Sequence, residues 1–471
     1  MIRINKIGQR LFLRFPAVLL AAAVALLPMQ LGAQESDPFL DMFSNPDMIT
    51  EENIEEISAP LEENFLISEK VTIGGQFYFE AAADFRKAWD KNFSYSGVLQ
   101  LNLDARPVES FRFFAKAETE YPFIDTETNG SSDGLIDVEE AVKIQELYAD
   151  FNIAKAVYGR VGKQTIAWGV GRYFSPADVL NLTPIDLDDP DAERTGPVAL
   201  KLHASGLLSN FYTYIISNEI SSVADIAIAP KYETVLGSME LGIAGFYRYD
   251  MAPKLIAMAT FPVGEVDLYT ELVGAWGSDK TYADNAGGTY TTENSPVVQA
   301  TLGFSYKYTD PLGNGVFSSS GQFWYNGEGY ADPSLAILAE NDPRIVAKTI
   351  LPGDLENPDR YYSALNVTFS NILKSNVTVA ASWFSAFGGA TGRITPSASY
   401  AFNEDFSLTA KVPINYGAAG AEFSPLGFQY TPTLEAKLFG NSQVSFAVPI
   451  SPGTVYQYPF VLSLSLAKER F

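Results

Sequence analysis

The chain offers little to bond-making chemistry. It contains one histidine, His203, and no cysteine. A Ser–His–Asp hydrolase or a multi-histidine metal site would have to use His203 alone, and no serine pairs with it by any visible motif. Thiol catalysis, disulfide stapling and cysteine-bound metals are excluded outright. The densest set of reactive side chains is acidic: Asp186, Asp188, Asp189, Asp191 and Glu193. Hard oxygen donors at that density are what calcium takes, but the glycine and distal glutamate of an EF-hand are missing. An acidic, solvated loop is the commoner meaning of such a run. The expectation is therefore a protein that is not an enzyme and holds no metal or cofactor.

Whatever positions those carboxylates is built from alternation. Val71, Ile73, Gly75, Phe77, Phe79, Ala81, Ala83 and Phe85 fall on one face of an extended chain, while Gln76, Tyr78, Glu80, Asp84 and Arg86 fall on the other. Side chains alternate with period two along a strand, so the first face is apolar and the second wet. The pattern recurs at 93–105, where Leu99, Leu101 and Leu103 oppose Gln100, Asn102 and Asp104, and at 111–118, where phenylalanines and alanines oppose Arg112, Lys116 and Glu118. It returns at 239–248, ending in Arg248, and at 428–438, where Glu435 and Lys437 occupy the polar face. Charges on that second face are costly in a packed sandwich core and natural in a water-filled lumen. Arg160 and Glu271 join the same polar set by their parity.

Composition agrees with alternation. Mean hydropathy is +0.01 with 47% hydrophobic residues, and there are 25 Tyr and 32 Phe. Strands that alternate hide their hydrophobicity from a sliding window, and aromatics belong where a barrel meets membrane interfaces. The formal net charge is −24, which disfavours nucleic acid as a partner because phosphates need Lys and Arg.

The N-terminus reads as two separate segments. Residues 1–33 form a cleavable secretory signal, with Arg3, Lys6, Arg10 and Arg14 before the apolar run Phe15–Leu27 and small residues near Ala33. That run is shorter than the roughly 18 residues a membrane helix needs. Residues 34–69 carry many carboxylates and neither Lys nor Arg; they form a periplasmic arm, a plug in a barrel mouth, or a flexible tether. Residues 70–471 hold about twenty strand-like runs. Their connections alternate between tight turns rich in Gly, Asn, Asp and Pro and longer loops near 121–141, 169–196, 277–295 and 328–359.

The closing stretch, FVLSLSLAKERF, sets Phe460, Leu462, Leu464 and Leu466 against Val461, Ser463, Ser465 and Ala467 and stops at Phe471. It resembles the terminal strand of Gram-negative outer-membrane β-barrels. The resemblance implies that Phe471 belongs to an assembly signal read by the barrel-assembly machinery after escort by periplasmic chaperones. With alternating short and long connections, it implies an all-β, closed antiparallel transmembrane up-and-down barrel of about 18–20 strands, with both termini in the periplasm and outer-membrane lipid around it. Within 159–196, Gly162-Lys163-Gln164, Trp168-Gly169 and Pro176-Ala177-Asp178 resemble a hairpin of porin-like barrels, the alginate-export type and related uncharacterised families among them. That similarity implies a channel for small polar or charged solutes.

A barrel this wide leaves an aqueous lumen or needs a plug. The loop 169–196 is the expected constriction, carrying Tyr173, Phe174, Asp178, Asp186, Asp188, Asp189, Asp191 and Glu193. Trp168 is expected at a membrane interface. The lining candidates are Glu80, Asp84, Arg112, Lys116, Glu118, Arg160, Arg248, Glu271, Glu435 and Lys437, a mixed set that suits polar or zwitterionic solutes, with the acidic total leaning toward cations. Two rival readings remain. Asn45-Pro46 after Phe39, Leu40, Met42 and Phe43 is similar to the N-terminal hatch of long-chain fatty acid transporters, which would carry hydrophobic solutes. An adhesin working through its external loops is the other. The oligomeric state is not legible. Deleting residues 34–69 should leave a barrel that still folds; single-channel conductance should rise if the segment plugs the mouth and stay unchanged if it is a tether.

Overall fold

The computed structural model describes residues 70–85, 93–121, 142–153, 157–218, 222–339, 341–438, 441–453 and 460–468. The signal segment 1–33, the acidic segment 34–69 and Phe471 lie outside the described residues.

Backbone pairing closes the chain into a ring. Each strand pairs antiparallel with its neighbours in sequence, and the last strand, Val461–Lys468, returns to the first, Val71–Asp84, with Phe77 opposite Lys468 and Asp84 opposite Val461. Closure leaves no edge strand with unpaired N–H and C=O groups. Two wall strands are broken at prolines, which cannot donate to the ladder. Ser407–Lys411 and Ile414–Tyr416 flank Pro413, and Gln429–Tyr430 and Thr433–Lys437 flank Pro432. The Thr431 N–H still donates to the Pro413 carbonyl at 2.8 Å, so pairing resumes beyond the break. With each broken pair counted as one, the wall has twenty strands. The closed all-β antiparallel barrel expected from the alternation is the fold.

The polarity of the wall is inverted relative to a soluble domain. On the strand Val266–Trp276, Leu272 is 51% exposed while its neighbour Glu271 is wholly buried. On Pro296–Thr309, Leu302 is 56% exposed and Thr301 only 2%. At these positions apolar side chains therefore face outward and polar ones inward, as the period-two pattern requires.

Short connections gather at one end, among them 206–208, 237–238, 264–265 and 310–315, and long ones at the other, including 277–295, 327–360 and 417–428. Val71 pairs with Ala105 beside the short turn that precedes Phe111, and the last strand runs toward that end too. No helix among the described residues is long and apolar enough to cross a membrane.

One expected strand is cut short. The run 156–168 pairs only as Val157–Lys163, after which the chain leaves the wall and enters the barrel. Trp168, expected at a membrane interface, is instead fully buried inside. Gly162 sits just before this departure with φ of +131°, and a Cβ there would lie 2.1 Å from the Leu147 carbonyl oxygen. Gly162→Ala should therefore strain this strand pair by about 1–3 kcal/mol. The measurement is the fraction of heat-modifiable folded protein on electrophoresis, which should fall below that of the parent.

Candidate functional site

Irregular backbone inside a barrel has no ladder of its own, so its N–H and C=O groups must find side-chain partners or water. Segment 164–197 finds them on the inward faces of the wall. The Glu271 carboxylate accepts from the backbone N–H of Val170 (2.6 Å), Gly171 (2.7 Å) and Ala177 (3.1 Å) and from the Ser175 hydroxyl (2.9 Å). Gln322, on the strand Val316–Asn326, takes the next turn: its Oε1 accepts from the N–H of Arg172, Tyr173 and Phe174, and its Nε2 donates to the Phe174 carbonyl at 2.5 Å. Lys231 Nζ donates to the Trp168 carbonyl at 3.0 Å and pairs with Glu233 at 2.6 Å. Glu146 Oε1 accepts from the Thr165 N–H at 3.2 Å.

Apolar packing fills one sector of the lumen behind these bonds. Ile166, Trp168, Ala177 and Leu180 of the segment pack on Tyr212, Tyr214, Ala229, Ala244, Ile256, Met258 and Val273. Tyr173 and Phe174 pack on Trp324, Tyr362 and Phe384. Close approach requires small residues: a Cβ on Gly169 would fall 2.5 Å from Glu271 Oε1.

The acidic edge of the segment reaches across what remains. Glu193 pairs with Lys116, and Asp188 Oδ1 lies 2.5 Å from Arg393 on the strand Thr391–Ala401. Asp191 pairs with Arg172 of the same segment at 2.8 Å. Asp186, Asp188, Asp189, Asp191 and Glu193 are all exposed. Asp178 is not part of this edge, being buried in an ion pair with Arg194 and hydrogen-bonded to Asn181. Tyr173 and Phe174 likewise point into the packed sector.

The open sector is polar. Register places Ser399, Thr409, Glu435, Ser445 and Ser463 in one inward row across consecutive strands, continued by Ala82. Glu435 pairs with Lys411 at 2.6 Å, and Lys437 shares its face, opposite Ser407. Glu80 accepts from the Tyr78 hydroxyl at 3.1 Å, and Asp84 shares that strand face. Glu118 lies opposite Gln100. Toward the packed sector stands a basic group: Arg112 pairs with Asp104 at 2.9 Å and Asp150 at 3.6 Å, and Arg160 pairs with Asp150 at 2.6 Å while lying 3.9 Å above the Tyr148 ring.

Two expected lining residues sit elsewhere. Glu271 is not washed by the lumen, because the segment it anchors covers it. Arg248 lies past the end of the strand Met239–Phe246, paired with Asp250 at the rim, because the ladder gives way there to an isolated bridge at Tyr247. Sequence reading missed Gln322, Lys231, Glu146 and Arg393. Each has inward parity on an alternating strand, the one signal that marks it. Among the described residues no cluster of His, Cys, Asp or Glu is arranged to hold a metal ion.

At the mouth, the hairpin Thr281–Ala283 with Thr289–Thr291 packs Tyr282 on Tyr330 and Ile350. Between the loops at this end and the inward segment lies a cavity of about 740 Å³. Glu422, in the loop 417–428, lines it and accepts from the Tyr362 hydroxyl at 2.7 Å. Burial raises the Glu422 carboxyl to about 7; Asp359 adds to the rise, while the Tyr362 bond and Lys280 oppose it.

No family model and no curated protein sequence matches the chain. Among solved structures it is similar to a mutant of the Rh. blastica porin, at 10% identity over 85% of this chain and 100% of that one, with a TM-score of 0.37. It is also similar to Salmonella typhi OmpF in complex with daunomycin, at 10% identity over 86% of this chain and 99% of that one, with a TM-score of 0.36.

Glu271→Ala strands four donors, and a buried unmet donor costs about 1–3 kcal/mol. The barrel should still close, but segment 164–197 should come loose. Limited proteolysis of the folded protein should then cut between 164 and 197 in the variant and not in the parent.

Proposed function

We propose that the protein is an outer-membrane porin-like channel for small polar or charged solutes, constricted by segment 164–197. The single observation that carries the reading is the course of that segment. It is pinned to one half of the wall by Glu271, Gln322 and Lys231, and its acidic edge reaches from Lys116 to Arg393. A hydrated sector is left between that edge and the strands whose inward faces carry Ser, Thr, Glu and Lys. An outward apolar face fits a lipid environment, and short turns at the end holding both barrel termini fit a periplasmic side. The Gly162-Lys163-Gln164 and Pro176-Ala177-Asp178 hairpin supports placement among porin-like, alginate-export-like barrels. Phe471 as assembly signal and residues 34–69 as arm or plug complete the proposal.

The inward face disfavours the fatty-acid-transporter reading, since an apolar solute crossing the open sector would desolvate serines, threonines and ion pairs. An adhesive role for the external loops has no specific observation behind it.

Selectivity follows from which carboxylates are neutralised. Asp188, Asp191 and Glu193 each face a cation across an ion pair, whereas Asp186 and Asp189 form none among the described residues. The edge keeps a modest negative surplus, so cations should pass preferentially. Planar-bilayer recording tests both points. The parent should show a single-channel conductance with a reversal potential favouring cations under a salt gradient. Replacing Asp186 and Asp189 by Asn should move that potential toward anions, most strongly at about 0.01 M salt, where the Debye length is about 30 Å. Replacing Lys116 and Arg393 by Gln should move it the other way. A protein that folds but never conducts would refute the channel.

A further inference from the structure

We propose that loop 417–428 is a hinged flap at the barrel mouth, latched to Tyr362 through Glu422 when that carboxyl is protonated and released when it ionises. The inference rests on the channel reading only for what the flap gates.

The hinge lies in the two strands that carry the loop. Pro413 divides Ser407–Lys411 from Ile414–Tyr416, and Pro432 divides Gln429–Tyr430 from Thr433–Lys437. The two breaks stand at one level, since the Thr431 N–H donates to the Pro413 carbonyl. Below them the ladder is continuous, from Lys411 opposite Thr433 to Ser407 opposite Lys437. Above them the strands share two residue pairs, Ile414 with Tyr430 and Asn415 with Gln429. Proline brings no N–H to a ladder, so the hairpin above this line is held by few backbone bonds. Its tip has bonds of its own: the Gly420 N–H donates to the Pro425 carbonyl at 3.0 Å and the Ser424 N–H to the Ala421 carbonyl at 2.9 Å. The tip can therefore swing and keep its shape.

The latch is far from the hinge. Tyr362 belongs to Tyr361–Ser370, and the strands Val377–Ala386 and Thr391–Ala401 stand between it and the hairpin. Side chains hold the loop across that gap. The Tyr362 hydroxyl donates to Glu422 Oε2 at 2.7 Å, and the Ser424 and Thr391 hydroxyls lie 2.9 Å apart. Phe423 packs on the cluster of Tyr173, Phe174, Trp324 and Tyr362, as does Leu187 of the inward segment.

Charge decides whether the latch holds. The Tyr362 hydroxyl also receives the Asp359 backbone N–H, which sets the buried Asp359 beside Glu422. Lys280 is the opposing cation, and its ammonium donates to the Glu356 carbonyl at 2.6 Å. Farther around the cavity stand Glu328 and Glu356, with Arg194 and Lys254 paired to Asp178 and Asp279. On the inward segment Asp186 and Asp188 flank Leu187, and Asp188 is paired with Arg393. Burial first and Asp359 next raise the docked Glu422 carboxyl to about 7, against the Tyr362 bond and Lys280. Released into water, a glutamate returns to about 4.3. Docking is therefore strongest below about 4.3, weakens as pH rises, and has lost this contribution above about 7.

Spin-label spectroscopy on the refolded full barrel in detergent micelles tests the flap without transport. The chain has no cysteine, so Leu426→Cys gives a single labelling site at the exposed tip. The nitroxide should be largely immobile at pH 5 and mobile at pH 8, the docked-to-released ratio falling by roughly tenfold or more. A label at Val223→Cys, on another loop at the same end, should not respond. In the tip-labelled protein, Glu422→Gln keeps an acceptor for Tyr362 without the charge and should stay immobile at both pH values. Phe423→Ala should raise mobility at pH 5. Pro413→Thr with Pro432→Thr, which returns an N–H to each strand, should reduce the mobile fraction at pH 8. In a planar bilayer the parent should conduct more at pH 8 than at pH 5, and Glu422→Gln should remove the difference. Equal tip mobility at both pH values in the parent, or a full response in Glu422→Gln that is folded by heat-modifiability, would overturn the proposal. A label response in a protein that never conducts would overturn the channel reading and leave the flap standing; conductance with an unresponsive label would do the reverse.

Discussion

A stretch of irregular backbone sealed inside a barrel has to be hydrogen-bonded by something other than itself, and here Glu271 does most of that work. One carboxylate gathers three amide N–H groups and a hydroxyl within the run 170–177. Buried carboxyl oxygens are tolerable only when such donors surround them. The bonds are mutual in effect: they satisfy the Glu271 oxygens and they fix the turn that carries Tyr173 and Phe174 toward Gln322. From that fixed point, the rest of the segment can reach only a limited part of the lumen.

The consequence is an eccentric lumen. The strands carrying Tyr212, Ala229, Ala244, Ile256 and Val273 turn apolar side chains inward, against Trp168 and Leu180, and give the barrel a hydrophobic core on one side. The strands carrying Thr409, Glu435 and Ser463 turn small polar and charged groups inward and give it a wet side. Both halves alternate, and what differs is the polarity of the inward positions. The acidic edge of the segment lies on the boundary, tied at Lys116 and Arg393, so its geometry depends on ion pairs with the wall. Exposed pairs of this kind are individually weak and respond to salt, which leaves the width of the wet sector more responsive to ionic conditions than the packed side.

The mouth is organised by a second polar anchor. Asp359 accepts from the Gly389 N–H at 2.6 Å and the Tyr361 N–H at 3.0 Å through its carboxylate, fixing the approach of two loops at this end of the barrel, and its own backbone N–H donates to the Tyr362 hydroxyl at 2.8 Å. Tyr362 in turn reaches Glu422. The cavity thus has a rigid aromatic side, set by strand residues, and a polar side, set by loops that those strand residues hold in place.

The sequence by itself determined the barrel. Twenty alternating runs, an inward polar face and unequal connections could be read directly, because a period of two is a local property of an extended chain and survives small errors in boundaries. Arg112, Lys116, Glu435 and Lys437 could be assigned inward for the same reason. Gly162 and Trp168 marked the start of an unusual segment, and its carboxylates were visible as a cluster. Tertiary structure alone decided where that segment docks. The residues that hold it, Glu271 and Gln322, stand about 100 and 150 positions away, and their faces meet the segment only after the ring closes. Alternation reveals which way a side chain points, but the partner it meets depends on which strands closure brings around to face it. That is why Glu271 reads as a water-lining charge in sequence and becomes a buried anchor in the fold. It is also why Trp168, an interfacial aromatic by its place in the run, ends inside the barrel.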